Sequence, residues 1–132
     1  MGELIKGEAS KIVSFFHGKD GNITIPKPFE REIFLFDTHV AGTSHVEGIR
    51  ELEPLLNVGD KLDFLREPDN PHDERAIVVK NGNGEKIGYV PKADNIVFSR
   101  LMDAGKLLYG RIESKKTLNG WLRIRIKIYL NE

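Results

Sequence analysis

The chain has 132 residues, of which 20 are Lys or Arg and 20 are Asp or Glu, and it contains no cysteine. That length suits one domain, the missing cysteines exclude disulfides and thiolate metal sites, and the zero net charge excludes a uniformly basic nucleic-acid binder. No run approaches the ~20 apolar residues of a membrane span, and the opening MGELIKGEASKIV lacks the pattern of a secretory leader, so a soluble, cytoplasmic protein is expected.

Residues 1–31 read as an accessory segment. Glu8–Phe16 suits a short helix, and GKDGNITIPKP supplies turn formers and two prolines. The domain proper is expected over 32–132. Ile33 to Phe36 is an apolar run of strand length, and Gly42 suits a bend beyond it. Apolar residues at 46, 49, 52, 55 and 56 predict a helix over Val46–Leu56, with Ser44 as its N-cap and Gly59 as its stop. Lys61–Arg66 and Ala76–Lys80 read as strands, NGNG as a hairpin turn, and Glu85–Val90 as the return strand. Pro91 ends that strand, and Asp94 or Asn95 caps a helix running to about Ala104, closed by Gly105. Two further strands, Leu107–Lys115 and Trp121–Leu130, are joined across Leu118-Asn119-Gly120. In the last strand Leu122, Ile124, Ile126, Ile128 and Leu130 face one way, and Trp121, Arg123, Arg125, Lys127 and Tyr129 the other. About six short strands with one or two short helices predict a mainly β fold, a small and partly open β-barrel.

Four features compete as sites. The outward face of the last strand alternates aromatic rings and cations, which suits stacked bases and phosphates. A sheet face turned to water needs polar residues in any case. Residues 100–132 carry eight Lys or Arg against three Asp or Glu, so a local basic face survives the zero total. His39, His45 and His72 with Asp73 supply ligand types for a metal-assisted phosphoester hydrolase, but their spacing matches no zinc pattern. Ser44, His45 and Asp73 supply the types of a nucleophilic triad without its GxSxG turn. No P-loop or GxGxxG occurs, so no cofactor and no bound metal are expected.

The fourth feature is Arg66 to Ala76, REPDNPHDERA. Two prolines stiffen it, Asn70 and Asp73 can bond local backbone or a ligand, and His72 offers a flat face. From these properties alone a structural turn and a site are equally good readings.

This loop, continued by Ala76-Ile77 and then by Gly88-Tyr89-Val90-Pro91-Lys92, resembles the HIRAN domain, with Val40-Ala41-Gly42 matching its first-strand element. The resemblance covers about Ile33 to Leu130. It implies a modified OB-like β-barrel that binds single-stranded or damaged DNA and captures a free 3′ end without catalysis. A helicase-like ATPase or another DNA-processing protein is the implied partner. By position, Asp73 matches the acid that accepts a hydrogen bond from the 3′-hydroxyl, and Asn70 and His72 match loop residues at that end. Tyr89 and Lys92 match base and phosphate contacts, and Trp121 matches an aromatic on the last strand. Arg66 opens the loop motif, and Arg123 and Arg125 are added as phosphate contacts from the outward face. Ser44 and His45 are expected to border the same nucleic-acid groove, but they stand where the DNA-end binders place an Arg and a Tyr, which removes a bidentate phosphate contact and part of a stacking sandwich. A protein-docking module, using the acidic stretch Glu47–Glu53 or the N-terminal segment, is the alternative.

Overall fold

The protein was studied as a computed structural model, which describes residues 31–132. The helix expected over Glu8–Phe16 lies outside the described residues. Six strands are present: β1 (Glu32–His39), β2 (Lys61–Arg66), β3 (Ile77–Lys80), β4 (Lys86–Tyr89), β5 (Leu107–Leu118) and β6 (Trp121–Asn131). Two helices, α1 (Ile49–Leu52) and α2 (Asn95–Asp103), lie between them. The strands form one sheet in the order β1-β6-β5-β2-β3-β4, with every neighbouring pair antiparallel.

The period-2 pattern of β6 appears as expected. Ile124, Ile126 and Ile128 are fully buried and Leu122 nearly so, while Trp121, Arg123 and Arg125 are exposed. The inward residues meet Leu62, Phe64, Ile77, Val79, Ile87 and Ile112 in a single apolar core. Burying each such side chain contributes about 1.5–3 kcal/mol, so the alternation itself decides which way the sheet curls. Asn119 and Gly120 turn β5 into β6 with φ of 51° and 79°, the pair of positive φ angles that a two-residue type I′ hairpin requires.

The curl closes at one point. Past β1, the Val40 N–H donates to the Ile124 carbonyl (2.9 Å), and Ala41 exchanges backbone bonds of 2.7 and 2.9 Å with Tyr89. This isolated antiparallel bridge joins the chain leaving β1 to β4, the opposite end of the sheet. Gly88 makes the approach possible, because a Cβ there would overlap the Val40 side chain and the Ala41 carbonyl.

The helix expected over Val46–Leu56 is not formed as such. Thr43–His45 and Glu53–Leu55 are 3₁₀ turns, and only Ile49–Leu52 between them is α-helical. Gly48, at φ 79°, interrupts the run, and Val46 is extended. Ser44 therefore sits inside a 3₁₀ turn and caps nothing. Gly59 (φ 92°) serves the turn into β2, where its N–H donates to the Ile112 carbonyl, and does not stop a helix. α2 matches its expected span. Gly105 (φ 92°) and Lys106 donate back to the Met102 and Leu101 carbonyls, the Schellman pattern that ends a helix. Asp94 precedes α2, but its carboxylate accepts from the Thr38 hydroxyl (2.7 Å) and makes no cap bond. Among the described residues no helix is long and apolar enough to cross a membrane.

Candidate functional site

The β2–β3 loop is built by its own side chains. Asn70 Oδ1 accepts from the backbone N–H groups of His72 (2.8 Å) and Asp73 (3.0 Å). Asn70 Nδ2 donates to Glu67 Oε1 (2.6 Å), which also receives the Tyr89 hydroxyl (2.9 Å) from β4. Lys86 Nζ in turn donates to the Tyr89 hydroxyl oxygen (2.9 Å) and lies 4.4 Å from the ring centre. These bonds hold the Glu67 carboxyl below the usual carboxylate range, the Asn70 amide being the largest cause and the Tyr89 hydroxyl the next. The loop is thus ordered around Asn70, and Tyr89 is fixed to it.

Asp73 is held from both sides. Its Oδ2 accepts from Asn95 Nδ2 (2.7 Å), and its Oδ1 accepts from the Arg75 backbone N–H (2.9 Å). The Asn95 bond, then the Arg75 bond, lowers the Asp73 pKa, so the carboxylate is ionised at neutral pH and acts only as an acceptor. Each oxygen keeps acceptor capacity beyond the bond it already receives.

Asn70, His72, Asp73, Tyr89 and Lys92 converge on one groove of about 320 Å³. Ala41 and Asn95 also line it. Asn95, 2% exposed, is the residue that sequence reasoning missed. It read as a helix cap, and no local pattern says that its amide crosses to Asp73.

The other expected residues lie elsewhere. Arg66 lines no part of this groove. Its guanidinium spans the Asp103 carboxylate (2.9 and 3.2 Å) and reaches the Ala76 carbonyl (2.9 Å), which ties the loop base to the end of α2. Ser44 lines a separate cavity of about 370 Å³ with Arg50 and Thr117. His45 borders a third depression with Glu47 and Lys86. Trp121, Arg123 and Arg125 share the outward face of β6. His39 is paired with Arg125 and the Val40 N–H bonds the Ile124 carbonyl, one residue before the groove-lining Ala41. His39, His45, His72 and Asp73 do not converge, and no three His, Asp or Glu side chains among the described residues gather as metal ligands.

Comparisons with known proteins agree with the fold. The model of the HIRAN domain matches residues 33–132. The chain is 36% identical over 69 residues to the helicase-like transcription factor of Oryctolagus cuniculus, a match spanning 51% of this chain and 7% of that protein. It is 34% identical over 59 residues to the human helicase-like transcription factor, covering 45% and 6% of the two chains. The chain therefore corresponds to a small fraction of the length of these relatives. Among solved structures, a Lactobacillus plantarum protein superimposes with a TM-score of 0.71 at 26% identity, covering 76% of this chain and 95% of that one. The crystal structure of the HIRAN domain of human HLTF superimposes with a TM-score of 0.58 at 22% identity, covering 76% and 81%. Six antiparallel strands in a curled half-barrel, two short helices and the match over 33–132 make this chain a member of the HIRAN domain family.

Proposed function

We propose that the domain is a non-catalytic DNA-binding module that takes the free 3′ end of a single strand in the groove at Asp73. The observation that carries this reading is the pairing of an ionised, acceptor-only carboxylate with a nearby cation in one groove. Asp73 and Lys92 both line it, and Lys92 lies close enough to help lower the Asp73 pKa. A carboxylate repels continuous phosphodiester but accepts from a hydroxyl, so Asp73 selects the one position on a strand where a hydroxyl replaces a phosphate. Lys92 supplies charge for the last phosphate. His72 offers a ring face to the terminal base, and Tyr89 offers the ring face that Lys86 does not cover. Residues 1–31 precede the family match, which begins at 33, and are accessory in this reading. The partner in this reading is a helicase-like ATPase or other DNA-processing protein, and the relatives' names support that choice.

The test is fluorescence anisotropy with a short strand ending in a 3′-hydroxyl or a 3′-phosphate. A hydrogen bond to a charged group is worth about 1.5–3 kcal/mol. Asp73→Ala should therefore weaken the hydroxyl end roughly tenfold or more and leave the phosphate end unchanged or tighter. Equal losses for the two ends would overturn the end-recognition reading. No binding of either strand at low salt would favour the docking module.

A further inference from the structure

The cations of β5 and β6 fall into two groups. Near the base of the hairpin they are paired: Arg111 with Glu32 (3.4 Å), and Lys127 with Asp37 (2.9 Å) and Glu113 (3.8 Å). On the inward side Lys115 is held by Glu53 at 2.6 Å. Toward the tip the outward pairs are Ser114–Arg125, Lys116–Arg123 and Leu118–Trp121. Lys116, Arg123 and Arg125 are exposed and make no ion pair among the described residues. From Ser114 to Asn131 the sequence holds five Lys or Arg and no Asp or Glu. This half of the hairpin is rigidly backed, because the buried Thr43 hydroxyl donates to the Leu122 carbonyl (2.6 Å) and Lys115 Nζ to the Glu53 carbonyl (2.6 Å).

The chain leaving β1 connects this group to the groove. His39 pairs with Arg125, the Val40 N–H donates to the carbonyl of Ile124 between Arg123 and Arg125, and the next residue, Ala41, lines the groove; Lys116 stands opposite Arg123 on β5. Arg125, Arg123 and Trp121 follow one another at about 6.7 Å along β6, two strand residues apart, a step that an extended nucleic-acid backbone can match. The Arg123 guanidinium lies 5.2 Å from the centre of the Trp121 ring, which is 42% exposed. A cation row ending in an open ring is complementary to a phosphodiester chain with unpaired bases.

We propose that the outward tip of the β5–β6 hairpin is a second site, a phosphate track that holds the body of a single strand whose end lies in the Asp73 groove. The proposal rests on the end-capture reading for its direction, but its contacts are separate. Lys116, Arg123 and Arg125 meet internal phosphates, and Trp121 stacks a base beyond them. The track adds affinity with strand length and takes no part in distinguishing a hydroxyl end from a phosphate end.

The test uses the full chain and single strands of about 4 and about 16 nucleotides, spanning the site sizes of single-strand-binding barrels. Each strand carries either 3′ terminus and is titrated across a salt series. Releasing three phosphate contacts from a single strand should lower the slope of log K against log salt by about 2. The triple variant Lys116→Gln/Arg123→Gln/Arg125→Gln should show that loss on the long strand and keep the terminus preference on the short one. Lys116→Gln alone, at an exposed position, should lower the slope by about 0.7, and Lys106→Gln, outside the track, should leave it unchanged. An unchanged slope in the triple variant, or equal affinity losses on the two strand lengths, would overturn the track. Loss of slope in a protein that never preferred a 3′-hydroxyl would instead retain the track and remove the end pocket.

Discussion

Replacing Gly88 with alanine tests the connection between fold and groove most directly. The added methyl overlaps the Val40 side chain and the Ala41 carbonyl, and one of these is backbone that cannot rotate away. Relief requires β4 and the Ala41 segment to separate. That strains or breaks the two Ala41–Tyr89 bonds of 2.7 and 2.9 Å. Two backbone bonds at about 0.5–1.5 kcal/mol each and an overpacking cost of about 1–3 kcal/mol give a loss of about 2–6 kcal/mol. Against a total of about 5–15 kcal/mol for a domain of this kind, that is a large fraction. Urea denaturation should show the midpoint falling at constant m, with a drop in Tm of roughly 10 °C or more. Gly82 is the control, since a Cβ there meets nothing within 4 Å. Gly82→Ala should be neutral or stabilising by up to about 1 kcal/mol. A Gly88→Ala variant within about 0.5 kcal/mol of the parent would refute the idea that this close approach closes the sheet.

Arg66→Ala removes the bidentate Asp103 pair and the Ala76 bond from a side chain only 17% exposed; a loss of about 1–3 kcal/mol is expected, with terminus preference kept if the domain still folds. A loss of that preference without a loss of stability would make Arg66 a ligand contact. Asp73 and Glu67 both have lowered pKa values in the folded state, so they contribute stability above the unfolded carboxylate range and lose it as pH falls through their folded values. Tm should be flat near neutrality and fall below about pH 4, with a shallower acid fall in an Asp73→Asn/Glu67→Gln variant. An identical acid profile in that variant would show that other carboxylates carry the dependence.

Much of the architecture was legible along the chain because its cause is local. The alternation from Trp121 to Leu130 reports which residues enter the core, and Asn119-Gly120 reports a two-residue turn by its tolerance of positive φ. Gly105 likewise marks the end of α2. The segment before β2 misled the same reasoning. Its apolar spacing is helical, but Gly48 interrupts it, and only Ile49–Leu52 is α-helical before the 3₁₀ turn Glu53–Leu55 that holds Pro54. The spacing records burial in part: Ile49, Leu52 and Leu56 reach the core from the broken turns, while Leu55 is left exposed.

Local patterns along the chain mark the strands and the hairpins, and the Arg66 to Ala76 motif with its resemblance pointed to Asp73. Long-range packing chose which loop residues line the groove. Glu67 meets Tyr89 and Asp73 meets Asn95 across 22 residues, and Arg66 meets Asp103 across 37. Such partners leave no local periodicity, because each is chosen by the closing of the sheet and the docking of α2. That closing also sends Ser44 and His45 to other depressions and brings the groove-lining Ala41 one residue past the Val40–Ile124 bond to the basic hairpin.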